Sequence, residues 1–191
     1  MRTREIVSLA LAAALACGPA GDSHADTAHA ATVLPAAAAD SHPFAVSDSG
    51  AGPLRIGMSF AQAAHALGAA VPDTARADTA CAYVTFAHVP PGVRLMWVAG
   101  HLARVEVSDT TVPTSRGVRV GDTGSRVDSA YRGLVTVSPH KYDPRASYRV
   151  VRFASPADSA FRLVFETDST QRVARYRMGR EPEVEWVEGC A

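Results

Sequence analysis

LRIGMSFAQAAHALG, residues 54–68, decides how the rest of the chain is read. Leu54–Ile56 is a short extended entry and Gly57 a tight turn. Ser59 is a good helix N-cap, and Gln62 three residues later completes a capping box. Phe60, Ala63, Ala64 and Leu67 then recur at i, i+3, i+4 and i+7, one apolar stripe of a short helix. Gly68 suits the helix stop. A second version, VRVGDTGSRVDSAYRGL, occupies residues 118–134. There Asp122 or Thr123 is the cap, and Val127, Ala130, Tyr131 and Leu134 form the stripe. Gly57 and Gly121 are the matched turn glycines, about 64 residues apart, a period that signals a repeated unit.

Helices this short are not stable alone in water, so each must pack on something. Strand patterns follow both. After the first helix come Cys81–Phe86, then a hairpin of Val93–Ala99 and Leu102–Val107 around Gly100. After the second come the polar loop His140–Arg145, a strand at Ser147–Phe153, and a hairpin of Phe161–Glu166 and Val173–Met178. Val184–Val187 is a candidate last strand. The expected fold is therefore α+β: two tandem repeats, residues 51–112 and 113–191, each a helix plus three antiparallel strands. They share one larger sheet with the helices on one face.

The N-terminus supplies an address. Arg2 and Arg4 precede the apolar run Ile6–Ala16, too short to span a bilayer and so read as a signal peptide. The run ends in Ala14-Leu15-Ala16-Cys17, which resembles the lipobox of bacterial lipoproteins and implies lipidation of Cys17. Ordinary secretion is the alternative. Residues 18–50, rich in Ala, Asp, Ser, His and Thr, read as a flexible tether. Cys81 and Cys190 remain, and in an exported chain an even pair reads as a disulfide. It would close a loop of about 109 residues. Two unpaired thiols are the alternative. The expected location is the bacterial periplasm, anchored to a membrane, the outer one in preference to the inner.

Equal numbers of basic and acidic residues leave no net charge, which removes the electrostatic case for nucleic-acid binding. No serine sits in a nucleophile elbow, and no metal-ligand spacing, phosphate loop or dinucleotide fingerprint occurs. No cofactor or metal is expected, and the chain reads as a non-enzyme.

Counting strand parity sorts the hairpins into two faces. Met96, Val98, Ala103, Val105 and Val107, matched by Val164, Ala174, Tyr176 and Met178, suit packing under helices. Leu95, Trp97, Arg104 and Glu106, matched by Leu163, Phe165, Arg175 and Arg177, mix aromatics with arginine as interface hot spots do. Trp97, Phe165, Arg104, Arg175 and Arg177 are therefore candidate partner contacts. The competing reading places Trp97 and Phe165 in the core with arginines at its rim. The His140–Asp143 loop, with His140 and Tyr142, is a second candidate.

The glycine turn, capped helix and hairpin resemble the SmpA/OmlA repeat of the small lipoprotein in the bacterial outer-membrane barrel-assembly machine. The motifs are Leu54-Arg55-Ile56-Gly57-Met58-Ser59 and Val118-Arg119-Val120-Gly121-Asp122-Thr123. Two such units in tandem resemble the β-lactamase inhibitor protein family. The resemblance implies a binding scaffold with helices on one side of a sheet and an open face on the other. It makes an envelope protein-binding module the first expectation and an inhibitor of a hydrolase, such as a β-lactamase or protease, the second.

Overall fold

A computed structural model describes residues 42–76, 78, 80–153 and 160–190; the signal, lipidation and most tether expectations lie outside them. The first helix, α1 (Phe60–Leu67), begins as its sequence requires. Ser59 Oγ accepts the Gln62 N–H and Gln62 Oε1 accepts the Ser59 N–H, completing the box. Gly68, at φ 61°, ends it in the left-handed region that favours glycine. The second, α2 (Gly124–Ala130), is capped by Thr123, whose Oγ1 accepts the Arg126 N–H. Phe60, Ala63 and Ala64 of α1 and Val127 of α2 are buried, as is Tyr131 at the α2 C-cap.

A two-stranded ribbon, β1 (Gly50–Ala51) and β2 (Leu54–Arg55), precedes α1. The main sheet has seven antiparallel strands: β3 (Cys81–Tyr83), β4 (Val93–Val98), β5 (His101–Val107), β6 (Val135–Pro139), β7 (Ser147–Arg152), β8 (Phe161–Thr167) and β9 (Val173–Arg180). Their order is β3-β4-β5-β9-β8-β7-β6, so the two hairpins meet at the β5–β9 pair. Each helix entry is stitched to a hairpin's second strand. Gly57 donates to the Leu102 carbonyl and Leu102 to that of Met58; Gly121 and Val173 exchange the same bonds through Asp122.

Three expectations about extent are corrected. Residues 42–50, assigned to the tether by composition, belong to the body: Phe44 and Val46 are buried, and Val46 exchanges backbone bonds with Pro113 and Ser115. Two apolar side chains suffice to anchor a polar segment when waiting backbone groups receive it. β6 is a strand the sequence reading left unassigned. Val184–Val187 is not a strand; a 3-10 turn at Glu183–Glu185 follows Pro182, and arginines from the sheet capture its carbonyls. The Cys81–Cys190 disulfide is formed, with Cα atoms 5.4 Å apart. Such bonds persist in oxidising compartments, which fits an exported chain. No helix among the described residues is long and apolar enough to cross a membrane.

The assignment of faces is also corrected. In the β4–β5 pair Trp97 opposes Leu102 but Met96 opposes Arg104, leaving Ala103 as a bulge residue. In β8–β9 Thr167 opposes Val173 but Glu166 opposes Arg175, leaving Ala174 in the same role. A one-residue shift sends every later side chain to the other face. Leu95, Trp97, Val105, Val107, Leu163, Phe165, Tyr176 and Met178 therefore share the core beneath the helices. Trp97 is 1% exposed and lies 4.4 Å from the Phe60 ring; Phe165 is fully buried, 5.7 Å from that of Tyr131. Trp97 and Phe165 are core residues and line no open surface. Arg104, Glu106, Arg175 and Arg177 point the other way.

Candidate functional site

Those displaced charges form a continuous network on the outer face. Register places Arg94 opposite Glu106, Glu106 opposite Arg177, and Arg175 opposite Glu166. Side chains in register share a face, so strands β4, β5, β9 and β8 lay alternating charges across the sheet.

Glu166 is the hub. Its Oε2 accepts from Arg175 Nε at 2.9 Å and Arg177 Nη1 at 3.0 Å. Its Oε1 accepts from Arg175 Nη2 at 2.6 Å and meets His140 Nε2 at 2.8 Å. Four donors thus occupy a carboxylate with about four acceptor positions. Burial alone pushes the Glu166 carboxyl up. Hydrogen bonds from Arg175 and His140, with the charges of Arg175 and Arg177, outweigh this and hold it at about 2.

His140 is fixed at both nitrogens. Nδ1 receives the backbone N–H groups of Tyr142 and Asp143, each at 3.1 Å, and an N–H can only donate. Nδ1 is therefore the acceptor and Nε2 carries the proton given to Glu166. The ring stacks on Tyr148 with centroids 4.6 Å apart. With both nitrogens committed, His140 has no lone pair for a general base and acts to pin the loop to the sheet. Tyr142 and Lys141, from that loop, both engage Glu188.

Glu188 belongs to the C-terminal segment that crosses this face. Arg104 donates to the carbonyls of Glu183 and Trp186 at 2.9 and 2.6 Å, and Arg177 Nε to that of Val184 at 2.7 Å. Val184 is fully buried against Tyr148 and Val164. Cys190 ties the segment's end to β3. Arg104 also reaches Tyr83 and Glu106, and Arg94 stacks 3.8 Å above the Tyr83 ring. Burial, then the adjacent Arg104 charge, lowers the pKa of Arg177.

Between this segment and the strands lies a cleft of about 100 Å³ lined by Tyr83, Arg94, Arg104, Glu106, Arg175 and Arg177, with Glu188 and Gly189 at the segment's side. Small-molecule pockets usually run from roughly 300 to 1,000 Å³, so it takes a single protruding group at most. The buried members, Arg104 and Arg177, are structural. Arg94 and Arg175 stand at the surface with side chains 58% and 51% exposed. Glu188 is matched by Lys141. On the strands, Glu106 serves Arg94 and Arg104, and Glu166 serves Arg175 and Arg177. On the strands two carboxylates thus face four guanidiniums, which leaves the patch around Arg94 and Arg175 positive, while the crossing segment adds Glu183 and Glu185 beside it.

Of the residues nominated from sequence, Arg104, Arg175, Arg177, His140 and Tyr142 converge here, while Trp97 and Phe165 sit in the core. The sequence reading nominated none of Glu166, Tyr83 and Arg94. Their pairing depends on register within both hairpins and across the β5–β9 junction that joins them. Among the described residues no group of three or more His, Cys, Asp or Glu side chains is placed to hold a metal.

No family model and no curated protein matches the chain. Solved structures similar to it include the uncharacterized protein yfeY from Escherichia coli, 16% identical, covering 71% of this chain and 99% of that one with a TM-score of 0.41. Another is an extracellular protein containing a SCP domain from Bacillus anthracis str. Ames, 10% identical, covering 66% of this chain and 44% of that one, also with a TM-score of 0.41.

Proposed function

We propose that the chain is an exported, non-catalytic protein-binding module, tethered to a bacterial membrane through Cys17, whose partner docks on the positive strand patch around Arg94 and Arg175. The observation that carries this reading is the pair Arg94 and Arg175, half in water above a buried layer of arginine and glutamate. Glu106 beneath Arg94 and Glu166 beneath Arg175 hold the two outer guanidiniums in place without cancelling the charge of the four arginines. Such pre-ordering lowers the entropy lost when an acidic partner binds. The SmpA/OmlA-like tandem reading supports a scaffold role. In its favour, Gly57 and Gly121 share nearly one backbone conformation (φ 91° and 92°). Ala103 and Ala174 are bulge residues at matching places in the two hairpins.

The test is site-specific photocross-linking in a bacterial envelope. A cross-linking side chain at position 94 or 175 is expected to capture a discrete protein, and one at Gln62 on the exposed side of α1 is not. Equal capture from both faces, or none from the outer face, would remove the proposal. An acidic hydrolase in the adduct would favour an inhibitor, and an envelope assembly protein a scaffold.

A further inference from the structure

The sheet ends on one side in a strand that nothing described in this chain covers. We infer that the free edge of β6 receives an extended strand from a partner protein, one carrying acidic residues beside its paired segment. This surface is distinct from the charged outer face.

The phase of the β6–β7 ladder fixes what that edge offers. Arg152 donates to the Leu134 carbonyl at 3.1 Å, and His140 to that of Ala146 at 3.2 Å. In an antiparallel pair, hydrogen-bonded positions alternate with non-bonded ones. Positions 134, 136, 138 and 140 therefore bond to β7. Val135 and Val137 turn their N–H and C=O groups away from β7, and Pro139 turns its carbonyl. Two consecutive donor–acceptor pairs await a partner strand, spaced as a ladder requires.

Proteins usually blunt such edges with lysine, a bulge, a covering element or extreme shortness. The opposite edge, β3, is three residues long and tied at Cys81 to the C-terminal segment. β6 has five residues, no charge and an unbroken register with β7; its proline is the last residue. Val137 is 53% exposed.

Charge selects the occupant. Arg132 and Arg152 lie exposed at the Val135 end, and neither meets a carboxylate among the described residues. Among the described residues the Arg152 guanidinium makes one long contact, with Thr136 Oγ1 at 3.5 Å. An incoming strand with acidic flanks would answer both. A second copy fits poorly. Two-fold pairing about Val137 sets Pro139, which has no N–H, opposite Val135. It also brings Arg132 of one copy toward Lys141 of the other.

The probe is the acetylated, amidated hexapeptide Glu-Thr-Val-Thr-Val-Glu, added to the full chain in detergent, with amide hydrogen exchange as the readout. Exchange at Val135 and Val137 is expected to slow by at least about tenfold, the scale of one or two ladder hydrogen bonds. Alternate N-methylation of the peptide, which deletes its donors, is expected to abolish the protection. Val137→Pro removes the matching donor from the protein at a position its own ladder does not use, and a melt checks that this variant folds. Exchanging the peptide's glutamates for lysines is expected to weaken binding. Unchanged exchange, equal protection by the N-methylated peptide, or protection that arises without peptide as the chain self-associates would overturn the inference. Protection confined to the strands around Arg94 and Arg175 would overturn it while leaving the outer-face reading intact.

Discussion

Glu166→Gln tests whether one carboxylate organises the outer face. Glutamine keeps the shape but turns an NH₂ toward one of four donors and leaves the buried Arg177 without its counter-charge. The carboxyl falls from an ordinary 4.5 to about 2 in the fold. That difference corresponds to about 3 kcal/mol of stability, reduced to about 2 because Arg175 is half in water. The folded-state value lies below the unfolded one. The contribution is therefore complete above about pH 4.5 and is lost as pH falls toward 2. At pH 7 the variant is expected to unfold about 2–3 kcal/mol more easily than wild type, lowering the melting midpoint by about 5–10 °C. Urea unfolding followed by tryptophan fluorescence at pH 7, 5, 4 and 3 measures the gap between the two proteins. Carboxylates common to both cancel in the difference, so the gap must narrow with acid. A gap equally wide at pH 3 and pH 7, or one below about 0.5 kcal/mol at neutral pH, would refute the assignment of Glu166 as hub.

Trp97→Ala empties a site packed by Phe60 and Phe86 and orphans the Val84 carbonyl that accepts the indole N–H. Calorimetry is expected to show a loss of about 3–5 kcal/mol, and a midpoint within a degree of wild type would return Trp97 to the surface. Cys190→Ser opens a loop spanning 109 residues and is expected to cost about 4–5 kcal/mol. Exchange should quicken first at Glu185–Gly189, and unchanged exchange there would show that Arg104 and Arg177 hold the segment alone. Labelled fatty acid is expected to enter the wild-type chain in a bacterial host and not Cys17→Ala; equal labelling would sink the lipid anchor.

Local structure was legible wherever neighbouring residues settle it. Ser59 and Gln62 specify a cap, Gly68 a stop, and Phe60, Ala63 and Ala64 a buried stripe, because each signal acts within one or two turns. The hairpins around Gly100 and Asp168–Gln171 were readable from alternation, and the cysteine pair from export. The faces were not. Parity counted outward from each turn pairs Leu95 with Arg104 and Phe165 with Arg175, the grouping expected from sequence. One extra residue in each second strand, Ala103 and Ala174, reverses it. Nothing in an Ala-Arg dipeptide announces a bulge. The same shift hid the site: Glu166 meets Arg175, Arg177 and His140 only once three strands and a loop are in register. The C-terminal turn was equally out of reach, since the distant Arg104 captures the Glu183 and Trp186 carbonyls and Val184 packs on Tyr148 and Val164.

Charge reversal at the two exposed guanidiniums tests the functional claim most directly. Arg94→Glu with Arg175→Glu leaves Arg104, Arg177 and the helix-side core untouched, and both side chains are about half exposed. Wild type and the double variant, cross-linked in parallel in envelope membranes, are to be compared for the adduct each retains. The account predicts that the double variant, which gives up Arg175's two bonds to Glu166, still folds with a lowered melting midpoint and loses at least about 90% of the adduct, equivalent to about 1.4 kcal/mol or more of binding. Undiminished capture by a folded double variant would contradict it and move the partner surface off this face.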